Sequence, residues 1–403
     1  MRKHRVVITG LGAVTSIGIG VSTFREALCR GASGISPITV FDTTGFGSNL
    51  GCEVRGFEPA RWTRKADWWT LGRSSQFCVA AARMAVEDAG IDPDVLSRSW
   101  SGVSVGTTDG ESNAIDKLTE QWVRLGPQGL DPNVIRQVPS HRLSASVARE
   151  LDLHGEAVTI PTACAAGNYA IGHGFDLISE GEADFMLCGG ADSMCRKTFA
   201  GFYRLGTIAP HVCQPFDRNR QGILTGEGAG MVLLETLDSA LERRARIYAE
   251  VRGYGLNCDA NHMVAPDRDS IANCMRLAHL HSDIRSSDVD YISAHGTGTR
   301  ANDITEAAAI REVFGEHLPP TSSIKSMIGH TMGAASALSA IACSLALYYS
   351  FIPPTINCQN PDPDCGLDCV ANTVRESKLN VVQNNAFAFG GNNSVVIFSR
   401  IAA

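Results

Sequence analysis

Cys164 lies in the run Pro161-Thr-Ala-Cys-Ala-Ala-Gly167, where a strand-like segment gives way to helix-compatible residues over 165–178. A thiol at such a junction faces the unpaired N–H groups and the positive end of a helix, and both favour the thiolate. For a cysteine taken alone, a small buried apolar residue is the competing reading. Two histidines shift the balance. His295 opens His295-Gly-Thr-Gly-Thr299 directly after the strand-like residues 291–294, and a helix carrying Asp303 and Glu306 follows. His330 sits in Ser322-Ser-Ile-Lys-Ser-Met-Ile-Gly-His-Thr-Met-Gly333, a loop of small residues with one cation, Lys325. The carboxyl ends of strands in α/β sheets are where sites gather. One thiol and two imidazoles at such places suit thioester condensation. The thiolate takes an acyl group, and two neutral imidazoles donate hydrogen bonds to the thioester oxygen of a second substrate as carbon dioxide leaves. Backbone N–H groups at Cys164 and near Phe389, in the turn Ala388-Phe-Gly-Gly391, would form the oxyanion hole for the attack.

Positioning these groups calls for a layered α/β fold. β-branched segments at 5–9, 103–105 and 291–294 alternate with helical stretches at 75–89 and 304–313, and no long low-complexity linker intervenes. The chain also repeats its plan. A strand over 156–162 leads to Cys164 and a small-residue helix, and a strand over 321–325 leads to His330 and another. Each half ends in a Gly-rich strand, at Cys188-Gly-Gly190 and Phe389-Gly-Gly391. Two similar halves, 1–245 with the nucleophile and 246–403 with the histidines, are the expectation, the join falling near 240–250.

Thr162-Ala-Cys164, His295-Gly-Thr-Gly-Thr299, Lys325 to His330 and Phe389-Gly-Gly-Asn392 together resemble the signature motifs of the elongating β-ketoacyl-[acyl-carrier-protein] synthases of the thiolase superfamily. The likeness runs nearly end to end. It takes in Val6-Val-Ile-Thr-Gly-Leu-Gly12, Gly189-Gly-Ala-Asp192, Pro215-Phe-Asp-Arg218 with Gly226-Glu-Gly228, and Asn360-Pro-Asp-Pro363. The resemblance implies a five-layer αβαβα sandwich and a homodimer or a heterodimer with a related chain. It also implies decarboxylative condensation of a Cys-bound acyl group with malonyl-[acyl-carrier protein], in fatty-acid or specialised polyketide biosynthesis. By the same resemblance Cys164 is the acyl acceptor, and His295 and His330 promote decarboxylation. Lys325 orders the site around His330, and Glu306 anchors Lys325, unless that pair is an ion pair of structure alone. Phe389 gates the acyl pocket and lends its amide to the oxyanion hole. Phe387, Thr297, Thr299, Thr108 and Asp109 contact substrate. Arg64, Lys65 and Arg204 meet an acidic carrier protein. No resident cofactor or metal is implied, since the substrates ride on the carrier's phosphopantetheine.

Two segments depart from the family pattern. Thr107-Thr-Asp-Gly-Glu111 replaces a more apolar stretch that shapes the acyl pocket, and Asp67-Trp-Trp-Thr-Leu-Gly-Arg73 replaces basic residues followed by Met-Asp. Both bear on substrate and carrier choice. A non-condensing pocket-shaping subunit is disfavoured by the presence of Cys164 with both histidines. A degradative thiolase pairs its nucleophile with one histidine and a second cysteine, unlike this set.

Composition removes other classes. The 403 residues are 44% apolar and 19% charged, as in a globular protein. The net charge of -7 without basic runs argues against nucleic acid as a partner. Thirteen cysteines without C-x-x-C pairs, and an N-terminus without a secretory core, suggest free thiols in the cytoplasm. Cys358, Cys365 and Cys369 lack zinc spacing and a nearby histidine. The charge-free stretch 333–352 is rich in Ala and Ser, ends at Pro353-Pro354, and reads as a buried helix rather than a membrane span. Three motifs are decoys. Gly10-Leu-Gly12 lacks the third glycine of a dinucleotide loop, Gly190-Ala-Asp-Ser193 follows a buried-looking strand rather than marking a phosphopantetheine site, and Gly329-His-Thr-Met-Gly333 lacks a nucleophilic serine. His173, His279 and His281 read as surface or core positions.

Overall fold

The computed structural model describes residues 4–401, so the first residues of the N-terminal reading, Met1 to Lys3, lie outside it. The chain contributes β1 (Val6–Thr15), β2 (Ser101–Gly106), β3 (Ala157–Ile160), β4 (Phe185–Asp192) and β5 (Gly228–Thr236). It then contributes β6 (Ala249–Cys258), β7 (Tyr291–Ser293), β8 (Thr321–Ser322), β9 (Val381–Phe387) and β10 (Asn392–Ser399). These strands follow one hydrogen-bonded path, β8-β7-β9-β10-β6-β1-β5-β4-β2-β3. Read outward from the β6–β1 junction, both arms have the same order: first strand, fifth, fourth, second, third. Directions repeat as well. β2 is parallel to β3 and β4, as β7 is to β8 and β9. The remaining pairs in each arm, and the β1–β6 junction, are antiparallel.

Helices cover both faces of each arm, which is why β1 is buried along its whole length and reads as a run of apolar residues and glycine, Thr9 and Thr15 apart. α1 (Arg73–Ala89) lies outside β1 and β5. α2 (Ala166–Glu180) packs between the arms, α3 (Arg268–His281) and α4 (Arg300–Phe314) form the opposite outer layer, and α5 (Ala335–Tyr349) joins α2 in the middle. The result is the five-layer αβαβα arrangement. The middle helix α5 has no charged residue and is buried on every side except its last turn. The window Met332–Tyr349 is long and apolar enough to cross a membrane, and 89% of it is buried within the protein.

Close packing accounts for the first decoy. A Cβ at Gly10 or Gly12 would stand 2.0 or 1.9 Å from the carbonyl oxygens of Ala85 or Ala81 on α1. The two glycines therefore let a helix backbone rest on β1, and that is their structural role.

Candidate active site

Cys164 occupies the turn between β3 and α2, in the short helical segment Ala163–Ala165. Ala163 holds φ at 51°, a left-handed conformation that costs an L-residue energy and sharpens the turn before Cys164. The second arm repeats the device. Met332 has φ 52° in Met332–Ala334, just before α5, and Thr331-Met-Gly-Ala-Ala335 parallels Thr162-Ala-Cys-Ala-Ala166 with Gly333 in the cysteine's place. Gly333 is required there because a Cβ would come within 2.5 Å of the Thr107 backbone.

The two turns and the loop after β7 converge on one cleft. Cys164, His295 and His330 line it together with Thr297, Thr299, Phe387 and Phe389. The two imidazole rings stand 5.6 Å apart and nearly perpendicular. Met332 N–H donates to His330 Nδ1 at 3.1 Å, which leaves the ring proton on Nε2. Burial, then Lys325, then His330 push His295 well below its ordinary range, and burial followed by Lys325 does the same for His330. Both are neutral donors near neutral pH.

Cys164 corrects the expectation of a resting thiolate. Burial pushes the thiol up to about 12, and the pull of Lys325 and of the Cys164 and Phe389 amides only partly offsets this. At only 6% exposure the sulfur is desolvated, and a helix start does not outweigh that. Those two amides favour the charged form of the sulfur.

The role assigned to Glu306 also needs correction. Lys325 Nζ donates to the His295 carbonyl at 2.6 Å. Glu306 forms no hydrogen bond or close ion pair with Lys325; its carboxylate accepts the His295 and Gly296 N–H groups, each at 2.8 Å. Asp303, one turn earlier on α4, accepts the Thr297 and Gly298 N–H groups at 3.1 and 3.2 Å. Four consecutive amides of the His295 loop are thus clamped by two carboxylates, and Lys325 holds the loop's carbonyl. Burial lowers the Lys325 pKa, and Cys164 and then Glu306 act against it through space.

The remaining expected residues scatter around this centre. Thr297 and Thr299 hydroxyls pair at 2.9 Å on the cleft wall. Thr108 and Asp109 do not line the cleft: their N–H groups bind Asp192 at 2.8 and 2.9 Å, and Asp109 pairs with Lys197 at 2.9 Å. Asp109 instead edges a small neighbouring void with Thr198, Thr225 and Met332. Arg64 and Lys65 are exposed, with Lys65 in an ion pair to Asp152, and Arg204 is exposed on the helix that carries Phe202. Ser193 is buried and bonded to Ser74 and Asn113, unlike an exposed attachment site. Cys358 and Cys369 sulfurs lie 3.5 Å apart as free thiols, and no metal-binding group forms among the described residues.

Sequence reasoning missed Phe202 and the loop Asp259 to Pro266. The Phe202 ring sits 5.5 Å from Phe389 and 6.4 Å from His330. The loop lines the cleft and is tied to the Phe389 turn by Gly390 N–H to Met263 O at 2.8 Å and Asp259 N–H to Gly391 O at 3.0 Å. Neither carries a local pattern, because both acquire their place through contacts distant in sequence.

Comparison with known proteins agrees with this geometry. The family model for the β-ketoacyl synthase N-terminal domain matches residues 3–240, and that for the C-terminal domain matches 248–359. The chain is 38% identical to 3-oxoacyl-[acyl-carrier-protein] synthase 2 of Coxiella burnetii, with 100% of both covered. It is 36% identical to nodulation protein E of Rhizobium meliloti, over 99% of this chain and 100% of that one. Among solved structures, the ishigamide ketosynthase/chain length factor matches with TM-score 0.98 and 54% identity, covering 99% and 100%. A type II PKS acyl-carrier protein complex with its hexaketide-bound ketosynthase matches with TM-score 0.92 and 31% identity, covering 99% and 100%.

Proposed function

This chain belongs to the β-ketoacyl synthase family, and from that premise we propose that it is the condensing subunit of a type II polyketide synthase, working beside a related second chain. The observation that carries the reading is the convergence of Cys164, two neutral imidazoles and two free amides on one cleft. Likeness to a ketosynthase/chain length factor at 54% identity supports the polyketide setting over primary fatty-acid synthesis.

The Cys164 sulfur attacks the carbonyl carbon of an acyl thioester on the carrier protein. A new C–S bond forms, the bond to the carrier's phosphopantetheine sulfur breaks, and the cysteine proton leaves with the carrier thiol. The oxyanion in between sits against the amides of Cys164 and Phe389. Malonyl carrier then enters. As its carboxylate C–C bond breaks and carbon dioxide departs, the electron pair moves to the thioester, and His295 and His330 donate hydrogen bonds to the enolate oxygen. The nascent carbanion attacks the acyl carbon, and Cys164 is expelled as thiolate and takes up a proton. Neutral imidazoles serve here because a donor that keeps its proton stabilises the enolate without quenching it.

Arg64, Lys65 and Arg204 are assigned to carrier docking, Phe389 to gating, and the halves 1–245 and 246–403 to an internal duplication, in a cytoplasmic enzyme. Intact-protein mass spectrometry with a panel of acyl carrier thioesters tests the central claim. The wild type gains acyl mass and, on adding malonyl carrier, releases a chain two carbons longer, while Cys164→Ala gains none. No acylation from any donor overturns the reading.

A further inference from the structure

Behind the His295 loop runs a file of buried amides that the reaction does not use directly. The layer between α3, α4 and the face of β9 and β10 is apolar, built from residues such as Ile271, Met275, Ile310, Phe314, Val395 and Ile397. Gln383 and Asn385 project into this layer from alternate positions of β9, and His279 meets them from α3. Exposure is 0% for Gln383, 2% for Asn385 and 6% for His279. Polar groups in such a place are costly unless bonded, and these are bonded in series. His279 Nε2 lies 2.7 Å from Gln383 Oε1, Gln383 Nε2 donates to Asn385 Oδ1 at 2.8 Å, and Asn385 Nδ2 donates to Glu306 Oε1 at 3.2 Å.

The order of donors is fixed from one end. An ionised carboxylate only accepts, so Asn385 turns its NH2 to Glu306 and its oxygen to Gln383. Gln383 must then show its NH2 to Asn385 and its oxygen to His279, which answers with a protonated Nε2. All three bonds point toward the carboxylate that grips the His295 and Gly296 amides, and chained bonds in a low-dielectric layer strengthen one another.

We propose that Gln383 and His279 are positioning residues of the condensation reaction: through Asn385 they orient the Glu306 carboxylate, and so hold the backbone of His295 in register for decarboxylation. Cys164 stands on a different turn, outside the relay. The inference rests on the condensing reading and predicts a split between half-reactions.

The test measures two rates in the full-length protein: acylation of Cys164 by an acyl carrier thioester, and release of carbon dioxide from malonyl carrier. Gln383→Leu lowers the second about tenfold, the scale of a small misplacement of a reacting group, and leaves the first unchanged. His279→Leu moves the same way, and His279→Gln, which keeps a donor toward Gln383, restores the rate. Where Gln383→Leu does not fold, the two His279 variants decide alone. The relay is overturned when both half-reactions fall together, when neither changes, or when His279→Gln is no better than His279→Leu. A wild type inert in both assays overturns the condensing reading itself, and the relay with it.

Discussion

Burial and position act on Cys164 in opposite directions. The turn points the sulfur at two amides and a nearby ammonium, yet desolvation holds the thiol up to about 12. Its thiolate fraction at neutral pH is therefore small and grows about tenfold per pH unit. Alkylation of Cys164 by iodoacetamide is expected to rise without a plateau from about pH 6 to about pH 9, followed by mass spectrometry; a plateau near neutrality contradicts this. For the histidines the sign is the reverse. A base held well below 6.5 stays neutral as pH falls through that value, so decarboxylation of malonyl carrier shows no inflection near 6.5. Replacing His295 or His330 by Ala removes one donor from the enolate and lowers carbon dioxide release about 10²- to 10³-fold, while acylation of Cys164 persists. The identities of these residues were legible from type and motif. Their protonation was not, because desolvation depends on what other segments bring over them.

At the scale of elements, two devices explain why the groups meet. The paired turns at Ala163 and Met332 stand at matching places in the two arms, just before α2 and α5, and Cys164 after the one and His330 before the other line the same cleft. The first two turns of α4 place Asp303 and Glu306 where the His295 loop leaves four amides unpaired, a pattern that shows in sequence only as two acids after His295-Gly-Thr-Gly-Thr299. Glu306→Leu frees two of these amides inside the protein, and each unsatisfied group costs about 1–3 kcal/mol. The loss should appear as a lower urea midpoint at unchanged slope. Helix α1 depends equally on what is missing: Gly12→Val places a side chain into the Ala81 carbonyl and costs more than about 2 kcal/mol by the same measurement.

Across the whole molecule, β3 stands at one end of the sheet, paired on one side only among the described residues, and the helix Ser112–Leu125 leaves Trp122, Val123 and Leu125 more than half exposed. An open edge and an apolar face of this kind call for a second chain. Trp122→Glu is expected to shift the particle mass by light scattering from two chains toward one, and an unchanged mass contradicts this. The sequence by itself determined the layered α/β class, the repeat of strand, turn and small-residue helix, and the choice of Cys164, His295 and His330 as the residues that share the cleft. These are written locally, in hydrophobic period, glycine placement and motif. Only the tertiary structure decided that Glu306 grips amides instead of Lys325, that Asp109 belongs to an ion pair, and that Phe202 and the loop after Cys258 wall the cleft. Those are contacts between residues far apart in the chain, set by how the two arms close around α2 and α5, and no local pattern encodes them.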